Sequence, residues 1–196
     1  MLFQTSETSD KLLYALMSQT IIPRPIAWVL SDNGDASYNI APFSYFNAVS
    51  TSPPVLYISA GKKPGGFKKD TWKNIEERSH FVVHIPSVSD VTAVTETSAS
   101  LPFGESEAAQ FGIALNAESD WPLPRIANVP AAFLCKRFDI IEIGNQAMIL
   151  GKVVSTYVSD TIATLSEGRL LVDPIGLDPL ARLGNSYASL GELLNG

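Results

Sequence analysis

The sequence is poor in the residues that carry sulfur and imidazole chemistry. Cys135 stands alone, and His80 and His84 are the only histidines. A single thiol excludes an internal disulfide framework, and a reducing cytoplasm is the simplest home for such a chain. No apolar run approaches the ~20 residues needed to span a bilayer, so no membrane partner is expected. The start, "MLFQTSETSDKLLYALM", has acids and no basic region, so a secretory signal is not expected there. Charged residues make up only 17% and hydrophobic ones 45%, a composition that supports a sizeable core. The formal net charge of −6 disfavours general binding to nucleic acid or to an anionic membrane. Repeats, low-complexity tracts and linkers are missing as well, so residues 1–196 are read as one domain.

The common catalytic motifs are also absent. "SAGK" at Ser59–Lys62 matches Ser-x-x-Lys, but it leaves a strand and enters a Gly/Pro loop, where no helix holds Ser and Lys on one face. "GKKPGG" lacks the spacing of a phosphate-binding P-loop. No G-x-G-x-x-G follows a strand, which argues against a Rossmann domain. His80 and His84 lie four apart in "HFVVHI". On a strand that spacing is ~13 Å, too far for one metal ion. Cys135, in "AAFLCKRF", reads as core packing rather than as a nucleophile.

What is present is mostly strand. Ile26–Leu30, Val55–Ala60, His80–Ile85, Ala131–Ile143 and Gln146–Ser159 are β-branched or apolar runs, the last two forming a hairpin around "GN". "DNGD" at Asp32–Asp35 marks a turn. Thr8–Met17, Asp70–Arg78, Val88–Thr95 and "SEAAQFGI" have helical character. "GLDPLARLGNSYASL" reads as loop ending in a short helical tail. The expected fold is mainly β with added α, an antiparallel barrel or sandwich with peripheral helices.

Two segments carry candidate binding chemistry. Lys68, Lys69, Asp70 and Thr71 stand where a helix begins, and free N–H groups there favour an anion such as a phosphate monoester. Asp70 is expected to cap the helix and Thr71 to face the ligand. A plain capped surface helix with solvated lysines is the simpler reading of these four residues by themselves. The second segment, "NIAPFSYFNAVSTSPP" from Asn39 to Pro54, has three aromatics, two Asn, four Ser/Thr and three Pro, and no charge. Ser44, Asn47, Ser50 and Thr51 offer polar groups beside aromatic faces, suited to the edge of a flat, neutral heterocycle. Imperfect alternation and Pro42 make a plain strand a poor fit. A ring here and a phosphate at Lys69–Thr71 together describe a mononucleotide such as FMN.

"RPIAWVLSDNGDASYNIAPFSYFNAVSTSPPVLYIS" followed by "KKDTWKNIEERSHFVVHI" resembles the flavin reductase-like family of FMN-binding split β-barrels, in its flavoredoxin-type branch. The late "PLARLGNSYAS" fits the same branch. The resemblance implies a homodimeric, Greek-key-like split barrel holding non-covalent FMN. It implies that Ser44, Tyr45, Phe46, Asn47, Ala48 and Ser50 line the flavin ring and that Lys69, Asp70 and Thr71 hold the phosphate, with Lys68 interchangeable with Lys69. It further implies that Arg182 and Tyr187 close over the flavin and that Arg24 lies near it. The implied activity is hydride transfer from NADH or NADPH to FMN and then to an unknown electron acceptor. The alternatives are an FMN-binding electron carrier without turnover, and a relative that uses another ligand such as haem or a deazaflavin. No residue is assigned a catalytic role, because the cofactor carries the chemistry.

Overall fold

The computed structural model describes residues 1–102 and 104–194. In chain order the helices are α1 (Asp10–Thr20), α2 (Asp70–Arg78), α3 (Val91–Glu96), α4 (Glu107–Gln110) and α5 (Pro174–Leu177). The first strands are β1 (Arg24–Pro25), β2 (Ala27–Asp32), β3 (Tyr38–Phe43), β4 (Phe46–Thr51), β5 (Pro54–Gly61) and β6 (His80–Ile85). They are followed by β7 (Leu115–Asn116), β8 (Arg125–Ile126), β9 (Ala131–Ile143) and β10 (Gln146–Val158). The last are β11 (Ala163–Ser166), β12 (Arg169–Val172), β13 (Ala181–Leu183) and β14 (Ser186–Ala188).

Seven strands form the main antiparallel sheet, in the order β3-β2-β6-β9-β10-β5-β4. Its two edges, β3 and β4, are consecutive in sequence and separated only by Ser44 and Tyr45. A connection of two residues cannot cross a flat seven-stranded sheet, so the sheet curls until its edges meet at that corner. The result is a split barrel, mainly β, as the sequence leads one to expect. Period-2 alternation then sorts side chains to two faces. Ala27, Val29, Phe81, Val83, Cys135 and Ile149 pack in one cluster, closed by Trp72 and Ile75 of α2. Trp28, Leu30, Val82, Ala132 and Leu134 face the opposite way and are covered by Val94, Ala108, Leu123 and Ile126. Strand β2 is therefore buried on both faces and carries no charge until Asp32.

Helix α2 and β9 coincide with their expected bounds and β10 ends one residue earlier than expected, because each carries its own strong local signal. Three expectations need correction. Phe46–Thr51 is an edge strand paired with β5, despite its weak alternation; Pro42 lies outside it, in β3, and the pairing absorbs an irregularity between Ala48 and Ser50. The late "ARLGNSYA" is a hairpin, β13–β14, whose three-residue strands are fixed by pairing with the distant β1, and no helical tail follows it among the described residues. The helix expected over Thr8–Met17 is present as α1, shifted to Asp10–Thr20, and it is mostly uncovered: Leu12 is exposed, and Ser18 is its one buried residue. No described helix is long and apolar enough to cross a membrane.

Candidate functional site

The start of α2 is built from below by a polar network. Thr71 Oγ1 accepts a 2.8 Å hydrogen bond from Asn39 Nδ2, which also donates to Ser31 Oγ. Asn74 Nδ2 donates to the same Ser31 oxygen and to Asn33 Oδ1. Thr71, Asn74, Asn39 and Ser31 are all buried, so these bonds pin the first turn of α2 onto β2 and β3. Thr71 accepts from Asn39 and still has its own hydroxyl hydrogen to donate.

Lys69 is the N-cap residue, with extended backbone and no side-chain cap, so the N–H groups of the first turn have no capping acceptor. The expected cap by Asp70 does not form. Asp70 is the first helical residue rather than the cap, and it pairs with Lys63 Nζ of the "GKKPGG" loop at 2.7 Å. Lys68 and Lys69 are not equivalent either. Lys68 bonds Glu76 at 2.7 Å and lies over the Trp72 ring, whereas Lys69 lies 5.9 Å from the Phe43 ring centre and has no carboxylate partner among the described residues. Burial, and then the charge of Lys63, holds the Lys69 pKa below the usual lysine value.

Lys69, Thr71, Asn39 and Phe43 line a cleft that is open to solvent, about 570 Å³ including the open part. Its opposite wall is the segment Thr97–Leu101, positioned through the 2.9 Å bond from Trp28 Nε1 to Thr97 Oγ1. Glu107 also reaches this cleft; its Oε2 accepts from Ile40 N at 2.9 Å, and burial raises its pKa. From Phe43 the depression continues around the barrel corner. One branch runs past Ser44, Tyr45, Tyr14, Lys62 and Gln146. Another runs past Tyr14, Arg24, Ser44, Arg182, Asn185 and Tyr187. Pro42, Phe43 and Ser44 are common to both branches, so the Lys69–Thr71 end and the Ser44–Tyr45 corner border one connected surface.

The corner is held by backbone and side chains alike. Tyr45 O accepts from Ser59 N at 2.8 Å, and Ser44 Oγ accepts from Arg24 Nε at 3.3 Å. Tyr45 Oη is buried without a hydrogen-bond partner among the described residues, and burial raises its pKa. Phe46 turns inward to the core. The rest of the expected ring-lining stretch is more remote: Asn47 reaches an adjoining groove, while Ala48 and Ser50 line none of these depressions. Asn47 and Ser50 also spend acceptors on the local N–H groups of Ala48 and Ser52. Asn39, Lys63, Tyr14 and the Thr97–Leu101 wall were not among the expected site residues. Asn39 was visible as the first residue of the uncharged stretch; the others carry no local signal and arrive through the tertiary fold.

His84 lies outside the site. Its Nδ1 donates to Trp28 O and its Nε2 accepts from Ile126 N, both at 2.9 Å, so it is a neutral, fully bonded core residue with its pKa lowered to about 4 by burial. Among the described residues no group of three or more His, Cys, Asp or Glu side chains could hold a metal ion.

Residues 17–174 match the family description "Flavin reductase like domain". The chain belongs to the flavin reductase-like family. Over its whole length this family member superposes on nitrilotriacetate monooxygenase component B from Bacillus cereus with a TM-score of 0.91 and 33% identity, covering 98% of that chain. It is 35% identical over 198 residues to the uncharacterized protein YwrF of Bacillus subtilis (strain 168), covering 97% of this chain and 95% of that one. Flavoredoxin of Desulfovibrio vulgaris (Miyazaki F) shares the fold, with a TM-score of 0.77 at 19% identity over 100% of this chain and 97% of that one. A flavin-dependent oxidoreductase is the activity that the family suggests for this chain.

Proposed function

We propose that the chain is an FMN-dependent oxidoreductase that takes a hydride from NADH or NADPH and hands the electrons to a separate acceptor. The observation that carries this reading is Lys69: a solvent-accessible cation with no carboxylate among the described residues, beside an uncapped helix start and a Thr71 hydroxyl with a hydrogen to donate. Such a place attracts a phosphate dianion. The surface leading from it passes the Phe43 ring and the Ser44–Tyr45 backbone, where a flat ring finds an apolar face and polar edge groups, and where Tyr45 Oη lacks a partner. The residues present therefore fit FMN, with its phosphate at Lys69 and Thr71 and its ring along Phe43–Tyr45.

When bound, FMN supplies the hydride-accepting centre. The chain's part is to bind and orient. Lys69 and the first turn of α2 fix the phosphate end, and the network through Asn39 keeps Thr71 aimed. Asp70 stays neutralised by Lys63 and so does not repel the phosphate. Ser44, held by Arg24, sets the edge of the ring site. In the same reading the whole of residues 1–196 is one domain, it works in the cytoplasm, and two copies associate.

The test is direct. Protein purified without added flavin and then denatured should release FMN, and NADH or NADPH should bleach the flavin absorbance of the loaded protein in stopped flow. Colourless protein that also refuses added FMN would sink the proposal. Bleaching by dithionite but by neither nucleotide would leave an electron carrier in its place.

A further inference from the structure

The β1–β13 pairing sets Arg24 directly opposite Arg182. Side chains at directly opposed positions of an antiparallel pair share a face and stand about 5 Å apart at Cβ, where like charges repel. Both arginines line one depression, with Asn185, Tyr187 and Tyr14 around them. Neither has a carboxylate partner among the described residues. Arg24 is buried and held rigidly, with Nη1 donating to Ser18 O and Ile21 O and Nε to Ser44 Oγ. Arg182 lies over the Tyr187 ring at 4.5 Å and spends only Nε, on Gly184 O. Paired across the strands and lining one depression, with Nη2 of Arg24 and both Nη of Arg182 unspent among the described residues, the two guanidinium groups amount to a site for two negative charges.

We propose that the Arg24–Arg182 pair is a diphosphate subsite that seats the pyrophosphate bridge of the pyridine dinucleotide donor. The inference rests on the oxidoreductase reading above; it moves Arg182 away from the flavin and leaves Arg24 its bond to Ser44 at the edge of the ring site. Charge counting favours this ligand. A single carboxylate neutralises only one of the two guanidinium groups, and the flavin phosphate already has Lys69 and Thr71 across the corner. A pyrophosphate carries two charges on adjacent phosphoryl groups, one for each fork. The site also adjoins the ring site through Ser44 and Phe43, so a dinucleotide anchored here has its nicotinamide end within reach of the flavin face.

The experiment uses the flavin-loaded full chain and Arg182→Gln, a residue at the rim rather than in the core, with Arg182→Lys as a second variant. Calorimetry with ADP as the diphosphate probe should show binding to the wild type and a loss of about tenfold or more in Arg182→Gln. Arg182→Lys should recover part of it, since the charge returns without the fork. The KM for NADH should rise by a similar factor in Arg182→Gln. Reduction by reduced nicotinamide mononucleotide, which lacks the bridge, should be unchanged, and FMN affinity should stay within about twofold. Equal losses for FMN and ADP, or ADP binding indifferent to Arg182, would overturn the subsite. If neither dinucleotide bleaches the flavin while ADP binding still depends on Arg182, the donor reading fails and the diphosphate subsite survives it.

Discussion

Lys69 and His84 both have pKa values lowered by desolvation, yet they lead to opposite expectations. Lys69 opens on a cleft and has no carboxylate among the described residues, so its charge is available to a ligand. Replacing it with alanine should weaken FMN binding at least tenfold, since a charge-assisted hydrogen bond is worth roughly 1.5–3 kcal/mol. A fluorescence titration of apoprotein measures this. Because the Lys69 pKa lies below the ordinary lysine value, FMN affinity should begin to fall at a lower alkaline pH than a free lysine dictates. Lys69→Arg, which cannot lose its proton, should remove that fall. His84 faces no ligand. Its folded pKa of about 4 lies below the unfolded value near 6.5, so the unfolded chain takes up the proton first as the pH drops. Stability is fully present above pH 6.5, declines between there and pH 4, and levels off below. The linkage amounts to roughly 3 kcal/mol, readable as a falling urea midpoint. His84→Gln should be less stable at pH 7 but flatter across that window.

At the scale of elements, the tightest place is where β10 crosses the core. A Cβ added at Gly151 would lie 2.5 Å from Phe81 Cζ and 3.1 Å from Cys135 Cβ, next to an irregularity in the β9–β10 register. Gly151→Ala should therefore destabilise the protein by about 1–3 kcal/mol, an overpacking cost visible in the urea midpoint, while FMN affinity in the folded fraction is kept. Elements with dense local signals could be read from the chain. The β9–β10 hairpin announces itself by two long β-branched runs around Gly144–Asn145, and α2 by its amphipathic spacing. The β13–β14 hairpin could not, because strands of three residues owe their existence to β1, more than a hundred positions earlier. The candidate site divides in the same way. Lys69 and Thr71 are legible as the start of a helix, and Ser44–Tyr45 as part of an odd uncharged stretch. The Thr97–Leu101 wall and the turn of Asp70 toward Lys63 depend on which segments the fold brings together, and no spacing encodes that.

For the molecule as a whole, a ligand that binds only the folded state adds stability by mass action. FMN at a hundred times its Kd should contribute about 2.7 kcal/mol. At this chain length that is a rise in Tm of roughly 5–10 °C, growing with the logarithm of the FMN concentration. A thermal melt of apoprotein with and without FMN measures it, and Lys69→Ala should need correspondingly more FMN for the same rise. The Ser44–Tyr45 link joins both margins of the curled sheet and also borders the depression that Lys69 opens. Lengthening that link by even one residue would relax the closure of the sheet and displace the rim of the pocket in a single stroke. Diversification of ligand choice on this scaffold must then come from segments that carry no such double duty, and the Thr97–Leu101 wall is the first place to graft new ones.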